Sequence, residues 1–142
     1  MTSSPGSAAL DAMLCFALYS AHHRVGRIYR ELLAPWSLSY TQFIVLLVLA
    51  REDGLTVGRL GDVLGLDSGT LSPLLKRLES RGLLGRSRSR GDERVVTVSL
   101  TGEGSALARE LGDIPRCVGE QLQVTQEQAG DLIRRLHDLT GS

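Results

Sequence analysis

Cys15 and the tyrosines that follow it are the residues of this sequence best suited to redox chemistry. Cys15 and Tyr19 are four positions apart in a segment with helical periodicity, so we expect them to be neighbours one turn apart. A cysteine thiolate attacks the O–O bond of a peroxide, and a phenol O–H favours the thiolate by donating a hydrogen bond to sulfur. Tyr29 lies roughly 21 Å from Cys15 along a helix axis, so it could reach Cys15 only from another chain.

A structural role is the alternative interpretation of Cys15. A lone cysteine on an apolar helix face usually acts as a small buried hydrophobic residue, and the spacing alone does not distinguish the two roles. The three histidines, His22, His23 and His137, show no metal-ligand spacing with a cysteine. We therefore expect no metal site and no cofactor.

Two adjacent stripes at spacings of three and four residues predict one long first helix. One stripe is apolar and the other carries Cys15 and Tyr29. The apolar stripe consists of Leu14, Leu18, Ala21, Val25, Ile28 and Leu32. We expect a cap at Asp11 or Ser7 and an end at about Ala34, before Pro35. Residues 1–9 are small and polar and should form a loose arm.

A helix-turn-helix is predicted in the middle of the chain. A buried helix from about Tyr40 to Glu52 precedes a short amphipathic helix within Leu55–Gly65. After the Gly-containing turn, a second helix should run from Gly69 to Arg81 with Ser68 as its N-cap. Its outward residues are small or basic, which suits a DNA groove and its phosphates. These outward residues are Ser68, Thr70, Ser72, Pro73, Lys76 and Arg77. We place Pro73 within the first turns, where its missing N–H costs least.

A β-hairpin should follow directly and form a wing. Its strands are expected at Leu83–Arg88 and Val95–Leu100, closing over a Gly-Asp turn. Residues 76–94 hold seven cations against three acids in a chain of zero net charge, which fits a nucleic-acid contact surface, although a solvated basic face is the alternative. An arginine on a narrow tip is suited to the minor groove. The charged residues predicted to act here are Arg86, Arg88, Arg90, Asp92 and Arg94.

The C-terminal part should contain two further helical segments. Thr101 is expected to cap the first, with Leu107, Leu111 and Ile114 on its apolar face, and Pro115 should kink or break it. The last helix should begin at about Thr125. Apolar stripes at both ends of so small a protein are best buried by a twin chain, which predicts a C2 dimer.

Together these elements predict a mainly α fold of the α+β type with a winged helix-turn-helix. We expect a single domain over residues 1–142, with the winged helix in 40–100 and dimerisation helices in 9–35 and 101–141. No apolar run approaches the ~20 residues that span a bilayer, and no signal peptide is visible. The expected compartment is therefore the cytoplasm, which keeps thiols reduced.

The segment Leu66–Leu84, followed by Arg90-Gly-Asp-Glu-Arg94, closely resembles the MarR family of dimeric winged-helix repressors, for which the Asp92-x-Arg94 wing element is typical. The stretch Leu14-Cys-Phe-Ala-Leu-Tyr19, with Tyr29 and Tyr40, resembles the organic hydroperoxide sensor branch, OhrR. The resemblance covers nearly the whole chain. It implies a homodimer that binds double-stranded operator DNA and takes an organic hydroperoxide as inducer.

The resemblance also implies roles for individual residues. Cys15 would be the peroxidatic cysteine, and Tyr29 and Tyr40 would hydrogen-bond its thiolate from across the dimer. Arg94 would reach the minor groove, with Asp92 steadying it. Tyr19 would join the thiolate pocket. Members of this branch have one cysteine or a second one near the C-terminal helices, and the presence of Cys117 resembles the two-cysteine kind.

These roles make a redox-controlled repressor the expected function. A sulfenic acid at Cys15 would be captured as a disulfide by Cys117 of the other chain, which would move the wings off half-site spacing. Within the same fold, a repressor released by a small aromatic ligand, with Cys15 incidental, is the alternative. A thiol peroxidase is disfavoured, because Cys15 lacks a charged activator and the winged helix would be unexplained.

Overall fold

The computed structural model describes residues 5–141; part of the expected N-terminal arm, residues 1–4, lies outside the described residues. Helices α1 to α8 span Pro5–Asp11, Leu14–Leu33, Tyr40–Arg51, Val57–Leu64, Ser68–Ser80, Gly102–Glu110, Ile114–Gln121 and Gln126–Thr140. Strands β1 to β3 span Leu55–Thr56, Leu84–Arg88 and Val96–Leu100. This mostly helical fold with one small sheet confirms the predicted fold class.

The chain divides into two compact units. The terminal unit contains residues 5–36 and 115–141, and the central unit is Ser37–Ile114. The central unit holds the helix-turn-helix, the sheet and also α6, which packs against α3. The segment after residue 101 is therefore divided between the two units, whereas the sequence suggested that all of it belonged with the flanking helices.

The N-terminal part of the terminal unit differs from the prediction. Residues 5–9 belong to α1 rather than to a loose arm, and a turn at Ala12–Met13 separates α1 from α2. The backbone N–H of Met13 donates to the Leu10 carbonyl over 3.0 Å and closes this turn. The sequence did not reveal the break because neither Ala12 nor Met13 is a helix breaker. Ser7 and Asp11 are consequently residues of α1 and not caps of the long helix.

The sheet of the central unit has the order β1-β3-β2, with both pairs antiparallel. Strand β3 is the middle strand, and its Val98 is fully buried between Leu55 and Arg86 in the register. Strand β1 was not predicted, because two residues are too few to show the alternation that marks a strand. The hairpin β2–β3 confirms the predicted wing to within one residue at each strand start.

The core of the central unit is aliphatic, as the low aromatic content requires. Phe43 is its only fully buried aromatic residue among those that the structure describes. The inward residues of α5 are fully or almost fully buried, as the apolar spacing predicted. They are Leu71, Leu74, Leu75 and Leu78.

Helix α5 begins one residue earlier than predicted and has a different cap. Asp67, not Ser68, is the N-cap, and its Oδ1 accepts the backbone N–H of Thr70 over 2.7 Å. This hydrogen bond holds the pKa of the Asp67 carboxyl below its usual value. A carboxylate is the stronger acceptor and interacts favourably with the helix dipole, so it takes the cap from the neighbouring serine.

Pro73 is the sixth residue of α5 and lies in the second turn, past the positions where a missing N–H costs least. The N–H groups that need no helical partner end at the third residue of a helix, so Pro73 removes a bond from the second turn. The carbonyl that loses this partner belongs to Gly69. Helix α5 therefore lacks one backbone hydrogen bond near Pro73, on its exposed side.

The helices after the wing follow the prediction, except that the first of them ends before Pro115 rather than at it. Thr101 caps α6, as expected, by accepting the backbone N–H of Gly104. The 3₁₀ turn Leu111–Asp113 separates α6 from α7, and Pro115 occupies the second position of α7, where its missing N–H costs little. The last helix begins after the Thr125 cap.

Among residues 5–141, no single helix is long and apolar enough to cross a membrane. Only the bent pair Leu14–Trp36 and Tyr40–Arg51 reaches the required length and composition, when its two parts are taken together.

Candidate redox and nucleic-acid sites

Cys15 is an exposed residue in the first turn of α2. The N-cap, Met13, has extended backbone and supplies no side-chain acceptor to the first N–H groups of the helix. These N–H groups and the helix dipole stabilise negative charge near the helix start. The break between α1 and α2, which the sequence did not show, is therefore what places Cys15 at a helix N-terminus.

Aromatic rings line α2 next to Cys15. The Tyr19 ring lies 6.1 Å from the Phe16 ring and 4.4 Å from the His23 ring, the second contact being edge-on. Tyr19 is 60% exposed. The site thus combines a thiol, a phenol and apolar rings on an exposed surface, which is the composition that a lipophilic peroxide would need.

The other two predicted pocket tyrosines have different positions. Tyr29 is on the same straight helix as Cys15, at the axial separation of roughly 21 Å expected from the sequence. Tyr40 is the first residue of α3 in the central unit, with its ring 6.3 Å from that of Phe43. Partial burial raises the pKa of the Tyr40 phenol, so it keeps its proton and remains a hydrogen-bond donor near neutral pH.

Cys117 lies in α7 and is partly buried, and the chain forms no bond between it and Cys15. Within the terminal unit, Nη2 of Arg24 donates to the carbonyl of Gln121 over 3.1 Å. This bond ties α2 to the C-terminal end of the helix that carries Cys117. A cation at a helix C-terminus is also favoured by the helix dipole.

All six predicted DNA-facing residues of α5 are exposed. Lys76 and Arg77 border a groove of about 530 Å³ together with Ser37, Gln42 and Pro73. The opposite face of the helix is buried in the core. The helix therefore presents a surface of small and cationic side chains, as a helix that enters a DNA groove must.

The tip of the wing holds one arginine in a fixed geometry. Oδ1 of Asp92 accepts both the backbone N–H of Arg94, over 3.0 Å, and its Nε, over 3.2 Å. The Arg94 side chain is nevertheless 91% exposed. A projecting guanidinium whose stem is held by a neighbouring carboxylate loses less conformational entropy on binding.

The two strand arginines are already engaged within the protein. Arg86 donates through Nη2 to Oε1 of Glu79 over 3.2 Å and through its backbone N–H to Oε2 over 3.0 Å. These bonds hold the pKa of the Glu79 carboxyl below its usual value. Arg88 donates to the Glu93 carbonyl over 2.6 Å. The cations left without such contacts in the described part of this surface are Lys76, Arg77 and Arg90.

A cleft of about 420 Å³ separates α5, the predicted recognition helix, from the wing. Ser72 borders it on one side and Arg94 on the other, and Arg86 also lines it. The start of α4, at Val57 and Gly58, completes its wall. The cleft therefore combines an apolar lining with a hydroxyl and guanidinium groups.

Sequence reasoning missed two residues of this surface. Glu79 was counted only as one of the three acids of the basic block, and Arg81 only as one of its seven cations and as the end of a helix. Arg81 donates through Nη1 to the carbonyl of Ser37 over 3.1 Å, although the two are 44 residues apart. Neither contact has a local sequence signal, because each depends on how separate elements fold against one another.

A winged helix-turn-helix with an exposed basic tip defines the class of winged-helix regulators. A family model described as transcriptional regulator SarA/Rot matches residues 27–111. The chain is 39% identical over 135 residues to the organic hydroperoxide resistance transcriptional regulator of Bacillus subtilis (strain 168), covering 90% of this chain and 92% of that protein. It is 48% identical over 128 residues to the HTH-type transcriptional regulator TtmR of Methylorubrum extorquens (strain PA1), covering 90% of this chain. The match spans 66% of TtmR, just under two thirds of its length.

A solved structure of reduced AbfR bound to DNA has the same fold, with a TM-score of 0.78 and 29% identity over 94% of this chain and 92% of that chain. The chain belongs to the MarR/SarA family of winged-helix transcriptional regulators, as the sequence predicted. Its relatives in this family are regulators and not enzymes, which also agrees with the prediction.

Proposed function

We propose that this regulator is a homodimeric repressor that binds operator DNA while Cys15 is reduced and leaves it when an organic hydroperoxide oxidises Cys15. The observation that carries the proposal is the exposed Cys15 thiol at an uncapped helix N-terminus, next to the Phe16 and Tyr19 rings. The 39% identity to a regulator of organic hydroperoxide resistance supports the choice of inducer.

The DNA-binding surface consists of α5 and the wing. Helix α5 enters the major groove, where Lys76 and Arg77 contact phosphates and the small side chains lie near base edges. Arg94 enters the minor groove at the wing tip, steadied by Asp92. Two such surfaces in a C2 dimer read a pseudo-palindromic site.

The chemical step is a two-electron oxidation of sulfur. The Cys15 thiolate attacks one oxygen of the hydroperoxide, the O–O bond breaks, and an alkoxide leaves and takes a proton to become the alcohol. The cysteine becomes a sulfenic acid. The thiol of Cys117 of the second chain then attacks that sulfur, forming a disulfide and releasing water.

The dimer completes the thiolate pocket. Tyr29 lies too far along the same helix to reach Cys15 of its own chain, so it serves the Cys15 of the second chain. Tyr40 serves as a second donor through its phenol O–H. Disulfide formation between Cys15 and Cys117 pulls on α2 and α7, and the wings lose half-site spacing.

The test is operator binding measured by electrophoretic mobility shift, with and without cumene hydroperoxide, on DNA from the chain's own promoter region. Wild type should bind only when reduced. Cys15→Ser should bind in both conditions, because it lacks the peroxidatic sulfur. Release of Cys15→Ser by the peroxide would remove Cys15 from the sensor role.

Cys117→Ser separates the first oxidation from the disulfide. On non-reducing gels, oxidised wild type should run as a covalent dimer and Cys117→Ser as a monomer that a sulfenic-acid probe labels at Cys15. A wild type that remains monomeric after oxidation would contradict the intersubunit disulfide while leaving the sensor role of Cys15 intact.

Release by a small aromatic acid is the second candidate. The cleft of about 420 Å³ beside the exposed Arg94 favours it, because a guanidinium at an apolar wall suits an aromatic carboxylate. Ligand-dependent release that persists unchanged in Cys15→Ser would favour this function over the redox switch.

A further inference from the structure

The recognition helix and the wing are joined by a two-point hydrogen-bonded bridge. Glu79, in the last turns of α5, accepts from the Arg86 backbone N–H over 3.0 Å and from its guanidinium over 3.2 Å. Each carboxylate oxygen therefore takes one bond, and one of these bonds fixes the backbone of β2 itself. We call this pair of contacts the Glu79–Arg86 bridge.

The Glu79–Arg86 bridge lies close to the point where the wing leaves α5. The chain passes from α5 to β2 through the short connection at residues 81–83, which includes Gly82 in the left-handed conformation. Arg86 pairs with Val98 at the middle of the hairpin, and the loop with Arg94 extends beyond β2. A contact at Arg86 therefore lies where it can restrain the angle between the wing and the helix.

The bridge also makes Arg86 less available for a direct contact with DNA. Its side chain is 30% exposed, against 91% for Arg94. A charge-assisted bond to a carboxylate is stronger than one between neutral groups, so breaking it to reach a phosphate would leave Glu79 as an unpaired anion near the DNA. Arg86 thus contacts Glu79 within the protein and does not contact the DNA.

We propose that Glu79 is a positioning residue that holds the wing at a fixed angle to the recognition helix, so that Arg94 and α5 contact one half-site together. This inference rests on the proposed DNA binding and goes beyond it, because it gives an acidic residue of the basic block a role in recognition. Glu79 touches no DNA and acts through Arg86.

Electrostatics and positioning predict opposite results when Glu79 is removed. If Arg86 bound a phosphate directly, Glu79→Ala would remove a competing anion and binding would strengthen. If the bridge positions the wing, Glu79→Ala weakens binding although the protein becomes more positive. The sign of the change therefore separates the two roles.

A double-mutant cycle with Arg94 gives the decisive measurement, using operator affinities of the reduced dimer. Arg94→Ala should weaken wild-type binding about tenfold. In the Glu79→Ala background the same substitution should cost less than about twofold, because the wing no longer holds Arg94 in the groove. An undiminished tenfold cost in that background would overturn the proposal.

Controls separate positioning from charge and from stability. Glu110→Ala removes an exposed acid from α6, and the full cost of Arg94→Ala should persist in its background. Glu79→Gln keeps one acceptor for the backbone N–H and should give an intermediate effect, which guards against a Glu79→Ala variant that folds poorly. Absence of operator binding by wild type would contradict the proposed function instead, and wild-type binding with independent Glu79 and Arg94 effects would contradict the bridge alone.

Discussion

Gly104 in α6 occupies a position that no larger residue fits. A Cβ at this position would overlap the carbonyl oxygen of Leu83. That carbonyl also accepts the Thr101 backbone N–H over 3.1 Å, and the Thr101 hydroxyl donates to the Gly82 carbonyl over 2.6 Å. Thr101 thus holds two successive carbonyls of this backbone, which restrains it from moving away from an added methyl group.

We expect Gly104→Ala to lower the free energy of unfolding by about 1–3 kcal/mol, the usual cost of forcing extra volume into a packed site. Urea denaturation followed by circular dichroism measures it. Gly102→Ala is the matched control at the start of the same helix, where a Cβ would meet nothing within 4 Å, and it should be neutral or slightly stabilising. Equal stability of the two variants would contradict this expectation, because it would show that the backbone at Leu83 can move aside for the added methyl group.

The sequence predicted the individual site residues unevenly, for a physical reason. The exposure of Lys76 and Arg77 followed from helical periodicity, a local property that the structure confirms. The engagement of Arg86 by Glu79 did not, because it requires β2 to fold back against α5. The exposed position of Cys15 at a helix start could not be predicted either, because it depends on the break at Ala12–Met13 and that break contains no helix-breaking residue.

Two helices of this protein begin with the same capping box but differ in how many of their residues are buried. Ser39 and Gln42 cap α3 reciprocally, and Thr125 and Gln128 cap α8. Helix α3 has four buried residues, whereas α8 has none among those that the structure describes in a single chain. The same local motif therefore supports one core helix and one helix whose apolar face is exposed.

Ser39→Ala should lower the global free energy of unfolding by about 1 kcal/mol, because the lost cap belongs to a core helix. Thr125→Ala should instead leave the unfolding of the central core unchanged and increase hydrogen exchange in the first turn of α8. Hydrogen-exchange mass spectrometry alongside urea denaturation distinguishes the two responses. Equal losses of global stability would mean that α8 is as tightly coupled to the fold as α3.

At the level of elements, the sequence was most informative where an element is long or has a glycine boundary. The wing and α5 were located to within one residue, with Gly65 and Gly82 as left-handed boundaries. Strand β1 and helix α1 were missed, since a two-residue strand has no period and α1 buries no residue that would create one. Tertiary pairing, not local preference, determines elements of this kind.

For the whole molecule, the exposed apolar side chains are concentrated in the terminal unit. They include Leu10 of α1, residues of α2 such as Leu14, and residues of α8 such as Leu132 and Ile133. The apolar residues of α8 are about half exposed in a single chain. An apolar surface of this kind on three helices is typical of a homodimer interface.

Ile133→Glu should therefore dissociate the proposed dimer, because the partner would bury an unpaired carboxylate. Sedimentation velocity should show a monomer, while Gln126→Glu, the same charge at an exposed polar position of α8, should remain a dimer. The monomer has one DNA-binding surface in place of two, and loss of the second contact should reduce operator affinity by about 10²-fold or more.

The same variant tests whether oxidation of Cys15 changes DNA binding through the dimer. If it does, peroxide should still convert Cys15 of this monomer to a sulfenic acid but should yield no covalent dimer and no further change in DNA binding. A monomeric Ile133→Glu whose residual binding still responds to peroxide would place the switch within one chain.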